Sequence, residues 1–226
     1  MRHTVPMFPL NTVLFPGMSV PLRVFEERYR ALVHRLLRID DPAERVFGSV
    51  AIREGYEVGE HGVQSLHRVG CLLQLTEADP HPDGSFSIVA VSRSRLRLGS
   101  LHTSGAVLQG EVEDLADGDG LDHAAAAEVA AQQAMATFER YRDLLSEVTG
   151  TEVLAGHLPR DPAYLSWALA ANCPLTLPQR QDLLETDHAD ERLAQLDALL
   201  QEEVRVMEVL PSMPATEVAR DRWSPN

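Results

Sequence analysis

Residues 7–29 read Met-Phe-Pro-Leu-Asn-Thr-Val-Leu-Phe-Pro-Gly-Met-Ser-Val-Pro-Leu-Arg-Val-Phe-Glu-Glu-Arg-Tyr, and the way this stretch divides decides the fold. Phe15-Pro16-Gly17 predicts a tight corner, since proline fixes φ and glycine permits a sharp bend. After it, Val20, Leu22 and Val24 alternate with Pro21 and Arg23, the period of two of a half-buried strand. Pro21 cannot donate to a ladder, which predicts an edge position. The period then changes. Phe25, Tyr29, Leu32, Val33, Leu36 and Leu37 recur at helical spacing, with Glu26 and Glu27 at the start and Arg35 and Arg38 at the end.

Working outward, Asp40-Asp41-Pro42 ends the helix and Val46 to Ile52 reads as a buried strand before a loop carrying Gly55, Gly59 and Gly62. Strand signals then crowd together at 69–76, 86–92, 95–101 and 107–113, with Pro82-Asp83-Gly84 as a hairpin turn. Several strands close in sequence with one early helix suggest a folded-over or barrel-like sheet rather than a βαβ array.

The character changes after Asp117-Gly118-Asp119-Gly120. Leu121 to Val148 predicts a long helix ended by Gly150, with an apolar face through Met135, Phe138, Tyr141, Leu144 and Leu145. Asp161-Pro162 reads as an N-cap and first helical position of a helix to about Asn172. A short helix over 178–185 and a last one over 189–210 follow, the latter capped by Asp187 and apolar at Leu193, Leu196, Leu199, Leu200, Val204 and Met207. The expected organisation is a β-rich lobe at 1–116, a linker at 117–120, a helical lobe at 121–210 and a fraying tail at 211–226. The fold class is α+β.

Composition removes several functions. The chain of 226 residues has a formal net charge of −14, which opposes a polyanionic partner such as nucleic acid. The charge is uneven: residues 1–114 hold 12 Arg against 14 acidic residues, and 115–226 hold 8 against 20. All 20 basic residues are Arg. Without lysine this sequence can form no P-loop, Ser–Lys dyad or Schiff base. Cys71 and Cys173 show no paired spacing, which fits a reducing cytoplasm. The first ten residues carry prolines where a signal peptide needs an unbroken apolar run, and no run elsewhere suits a membrane span. A soluble, cytoplasmic protein is expected. The nine histidines include no His-Glu-x-x-His, and no Cys-x-x-Cys occurs, so neither a metal nor a cofactor is expected.

The opening segment, together with Phe47-Gly48-Ser49-Val50, Arg53-Glu54-Gly55, Val69-Gly70-Cys71 and the strand around Arg93, Arg95 and Arg97, resembles the N-terminal substrate-binding domain of Lon proteases. Leu175-Thr-Leu-Pro178 and Gln181-Asp-Leu-Leu-Glu185 resemble the helical bundle of its short bacterial members. The resemblance reaches about Leu210. It implies a PUA-like β pseudo-barrel with one embedded helix, followed by an α-helical bundle lobe. It further implies a stand-alone member without the ATPase and Ser–Lys protease domains, acting in recognition of unfolded or damaged polypeptides rather than in catalysis.

Which residues recognise is less marked. The corner at Phe15 and Pro16 and the helix residues Phe25 and Tyr29 read first as core. The sharper reading is that part of them lines an apolar groove for extended peptide, since unfolded chains expose hydrophobes without fixed sequence. By the period of two, Arg93, Arg95 and Arg97 share one strand face, solvated or gripping carbonyls and carboxylates of a partner. Two other readings stay open: an adaptor or regulator docking a folded protease or chaperone partner, and a small-ligand-binding protein or hydrolase with a dispersed triad. A Gly-x-Ser-x-Gly setting is lacking.

Overall fold

The computed structural model describes residues 2–53, 66–102, 105–118, 121–151 and 157–209. The chain divides into two compact units, Met1–Ala116 and Asp117–Asn226.

The first unit holds strands β1 (Arg2–Pro6), β2 (Ser19–Val24), β3 (Val46–Ile52), β4 (Leu66–Pro80), β5 (Phe86–His102) and β6 (Gln109–Leu115), with helix α1 (Glu27–Leu37) between β2 and β3. The order is β1-β6-β5-β4-β3, all antiparallel, with β2 paired to the first part of β5. The chain leaving β1 closes the sheet on itself. The N–H of Phe8 donates to the Gly48 carbonyl at 2.8 Å, that of Leu10 to Val50 at 3.1 Å, and that of Ile52 to Leu10 at 3.0 Å. Pro9 falls between the two donating residues, where a missing N–H costs no bond. This seam covers the outer edge of β3, which would otherwise invite association.

Met7 sits at the seam, packed with Val5, Val50, Leu96, Leu98 and Val112. It fits because its neighbours on β3 and β6 are glycines. A Cβ on Gly48 would lie 2.5 Å from the Met7 Sδ, and one on Gly110 would lie 2.8 Å from its Cγ.

Two sequence expectations change here. The segments 86–92 and 95–101 are one strand of 17 residues, β5, continuous through an irregularity at Arg93. β1 had no counterpart in the sequence reading, because Arg2–Pro6 is short and exposed at its first three residues. The glycine loop 55–62, the linker residues 119–120 and the tail 211–226 lie outside the described residues.

The second unit holds helices α2 (Leu121–Thr149), α3 (Pro162–Asn172), α4 (Leu177–Glu185) and α5 (Ala189–Val209). On α2, Ala127, Ala131, Ala134, Phe138, Tyr141 and Leu145 are buried at spacings of three and four. The small residues let α5 approach with Leu193, Leu196 and Leu200. Asp161 caps α3 by accepting from the N–H groups of Ala163 and Tyr164, with Pro162 in the first turn. Thr176 and Gln179 form a capping box on α4. Arg192 is buried with its guanidinium 3.6 Å from the Trp167 ring centre. It donates to the Ser166 hydroxyl at 3.0 Å, the Thr186 carbonyl at 2.8 Å and the Asp117 carboxylate at 3.3 Å, and the Trp167 indole donates to the same carboxylate at 3.2 Å. Among the described residues no helix is long and apolar enough to cross a membrane.

Candidate binding site

The corner forms as expected but is not a surface. Phe15 is 0% exposed, and Pro16 is half-buried. Gly17, at φ +88°, donates its N–H to the Ser92 carbonyl at 2.8 Å, while the Ser92 N–H donates to the Met18 carbonyl at 2.9 Å. The corner is thus pinned to β5. Tyr29 is also core, 6% exposed and stacked on Phe8 with ring centres 4.0 Å apart. Neither Phe15 nor Tyr29 lines an exposed groove, because the inward face of α1 and the corner are consumed in closing the barrel.

Phe25 differs. It is 55% exposed, at the junction of β2 and α1. It falls after the last strand residue and before the first helical one, so neither periodicity turns it inward. Glu26 then provides the extended residue before the helix, its carboxylate 2.9 Å from Arg28, whose guanidinium lies 4.5 Å from the Tyr29 ring centre. Beside it, β2 pairs only with β5 among the described residues, so its outer edge is open as Pro21 predicted. Along α1, Ala31, His34, Arg35 and Arg38 line a shallow basic concavity of about 400 Å³.

The three arginines do not share one face. β4 pairs Leu72 with Ser94 and Leu73 with Ser92, so Arg93 is an extra residue that breaks the alternation. Arg93 is exposed and donates to the Ala43 carbonyl at 3.1 Å, steadying the 3-10 turn Pro42–Glu44. Arg95 is 1% exposed, opposite Cys71, and donates to the Ala116 carbonyl at 3.0 Å. Arg97 is exposed. A gripping row of three guanidinium groups is therefore absent.

Burial pushes the Cys71 thiol up to about 12, against the smaller opposing effects of Ser92 and Arg95. A thiol so protonated is an inert core group, and its S–H donates to the Leu14 carbonyl at 3.2 Å.

The second unit carries a concavity that the sequence reading missed. Cys173, Pro174, Leu175, Leu199, Leu200 and Val206 wall a groove of about 280 Å³, rimmed by Gln179, Glu202 and Glu203. Burial, then the charge of Glu202, raises the Glu203 carboxyl above its usual range. The available signal was the Leu199-Leu200 pair, which widens the apolar stripe of α5 beyond what one partner helix covers. The fold also brings His123 beside His188 and Asp190, 65 or more positions further along the chain, with one nitrogen or oxygen atom of each within 4.8 Å of the others.

The model of the ATP-dependent protease La (LON) substrate-binding domain matches residues 4–202. The chain belongs to the Lon substrate-binding domain family. It is 28% identical over 209 residues to the Lon protease of Escherichia coli K12, covering 92% of this chain and 26% of that protein. Lon protease 2 of Herpetosiphon aurantiacus is 27% identical over 208 residues, covering 91% and 24%. The chain thus spans about a quarter of the length of these Lon relatives. The matched part is the substrate-binding part, not the ATPase or protease domains. Among solved structures, the Lon N-terminal domain protein from Xanthomonas campestris matches with a TM-score of 0.58 at 26% identity, over 87% of this chain and 98% of that one. The N-terminal domain of the Mycobacterium avium complex Lon protease, at 19% identity and a TM-score of 0.59 over 88% of this chain and 98% of that one, supports the fold alone. The α+β, PUA-like architecture is that of Lon N-terminal domains.

Proposed function

We propose that this Lon-type module binds unfolded or exposed apolar polypeptide segments in the cytoplasm, at the surface formed by Phe25 and the open edge of β2. The observation that carries the reading is Phe25, an aromatic ring 55% exposed next to β2, whose outer edge has no strand partner among the described residues. An edge offers main-chain donors and acceptors to any extended sequence, and a neighbouring aromatic takes an apolar side chain without demanding one identity. The basic concavity of α1 adds a weak preference for acidic flanking residues. Recognition, not turnover, is the mechanism.

The test is fluorescence anisotropy of a labelled, permanently unfolded polypeptide titrated with the protein at two salt concentrations, with a folded protein as control. Saturable binding of the unfolded chain alone, changed little by salt, is the expected result. No binding, or binding of the folded control with strong salt dependence, rejects the reading in favour of a dedicated folded partner.

A further inference from the structure

We propose that His123, His188 and Asp190 form a site for one divalent transition-metal ion, best matched by Zn²⁺, which staples the start of α2 to the start of α5. One atom from each residue lies within 4.8 Å of the others. Zn²⁺ held at about 2.0–2.2 Å by nitrogen and oxygen places tetrahedral ligand atoms roughly 3.3–3.6 Å apart. The His123 Nδ1 is already 2.9 Å from the Asp190 Oδ2. Side-chain rotation is enough to close the set around an ion. Two imidazoles and one carboxylate suit Zn²⁺, Co²⁺ or Ni²⁺ rather than the oxygen-seeking Mg²⁺ or Ca²⁺, and three protein ligands leave a fourth position to water.

A hydrogen-bonded His–Asp pair alone would account for His123 and Asp190, but it leaves His188 unexplained. The His188 ring stacks on His123 with centres 3.8 Å apart and planes at 5°. Both rings offer a nitrogen that can ligate one ion. The seat of His188 is built for it. An added Cβ at Gly118 would collide with the imidazole where it now sits, so the glycine makes room for the ring in this position. The Gly118 carbonyl lies 3.3 Å from His188 Nδ1, and because a carbonyl only accepts, the tautomer that donates there is the one that leaves Nε2 to ligate. Fixing a ligand histidine through its other nitrogen is the usual outer support of a metal site. The Gly118 N–H donates to the Asp187 carbonyl at 3.0 Å, and the preceding Asp117 is held by Arg192 and Trp167, so the strap that seats His188 is anchored in the core.

Binding replaces the proton shared between His123 Nδ1 and Asp190 by the metal ion, and that proton leaves to solvent. The side chains of Asp190 and His188 are partly buried, which limits competition from water. Against binding stand the positive ends of α2 and α5, and the stacked rings must tilt apart. The expected dissociation constant is therefore on the order of micromolar rather than nanomolar.

The experiment is calorimetric titration of the full chain, free of any histidine tag, with ZnCl₂ at pH 7.5, paired with the visible absorption of the Co²⁺ form. The expected result is one equivalent bound with a dissociation constant below about 100 µM, intense tetrahedral Co²⁺ bands, and at least a tenfold weakening in both Asp190→Asn and His188→Ala. His102→Ala, in the other unit, should bind as the parent does. Asp190→Asn keeps the side-chain shape and so tests the site if His188→Ala fails to fold. Weaker binding in the parent, or binding that survives Asp190→Asn, overturns the proposal.

Discussion

Phe15 and Phe25 are separated by ten residues, and the structure assigns them opposite consequences when truncated. Phe15 is 0% exposed, pinned beneath a corner whose backbone bonds to β5 on both sides. Phe15→Ala removes a fully buried ring from a site that cannot collapse, for which large-to-small substitutions cost about 3–5 kcal/mol. At roughly 4–8 °C per kcal/mol for a unit of this size, the melting temperature should fall by more than about 10 °C. Phe25 leaves 55% of its surface in water. Full burial of such a side chain stabilises by about 1.5–3 kcal/mol, so Phe25→Ala should cost no more than roughly 1 kcal/mol. Its effect belongs in binding, where an exposed aromatic anchor contributes about 2 kcal/mol, or roughly 30-fold in affinity for an unfolded polypeptide. The assay pairs thermal melts with anisotropy titrations of both variants. A Phe25→Ala protein that melts as early as Phe15→Ala, or that binds as the parent does, would refute the reasoning.

Other outcomes follow from single contacts. Gly48→Ala forces a methyl group against Met7 at the barrel seam and should destabilise by about 1–3 kcal/mol, seen as a lowered urea midpoint at unchanged slope. Asp161→Ala removes the two cap bonds of α3 and should cost about 1 kcal/mol by chemical denaturation. Because the Glu203 carboxyl is raised in the folded state, its contribution is fully present below the unfolded pKa of about 4.3 and is lost as pH rises through the folded value. Glu203→Gln should therefore raise the melting temperature at pH 7 and leave it unchanged near pH 3.5, a pH series of melts being the check.

Much of the fold was legible because its signals are local. Proline at position 21 marked an edge strand, the change of period after Val24 marked α1, and Asp161-Pro162 marked the start of α3. β5 was split in two because Ser92-Arg93-Ser94 looks like an interruption, whereas the sheet absorbs the extra residue without ending the strand. The same residue defeated the arginine face: a period of two holds only while the ladder stays in register. The site was less legible because exposure is tertiary. Phe15, Phe25 and Tyr29 share an apolar character in sequence, and only the closure of the sheet and the packing of α1 separate the ring left outside from the two taken in. His123 and His188 are 65 positions apart, so their stacking follows from the way α2 lies along α5 and has no signature in spacing.

The most direct test of polypeptide recognition at β2 and Phe25 is amide hydrogen exchange with and without saturating unfolded polypeptide. Binding at this surface requires added protection over Ser19–Val24 and the first turn of α1, on amides that exchange readily in the free protein. Protection confined to the helical unit, or unchanged exchange throughout at demonstrated saturation, would contradict it.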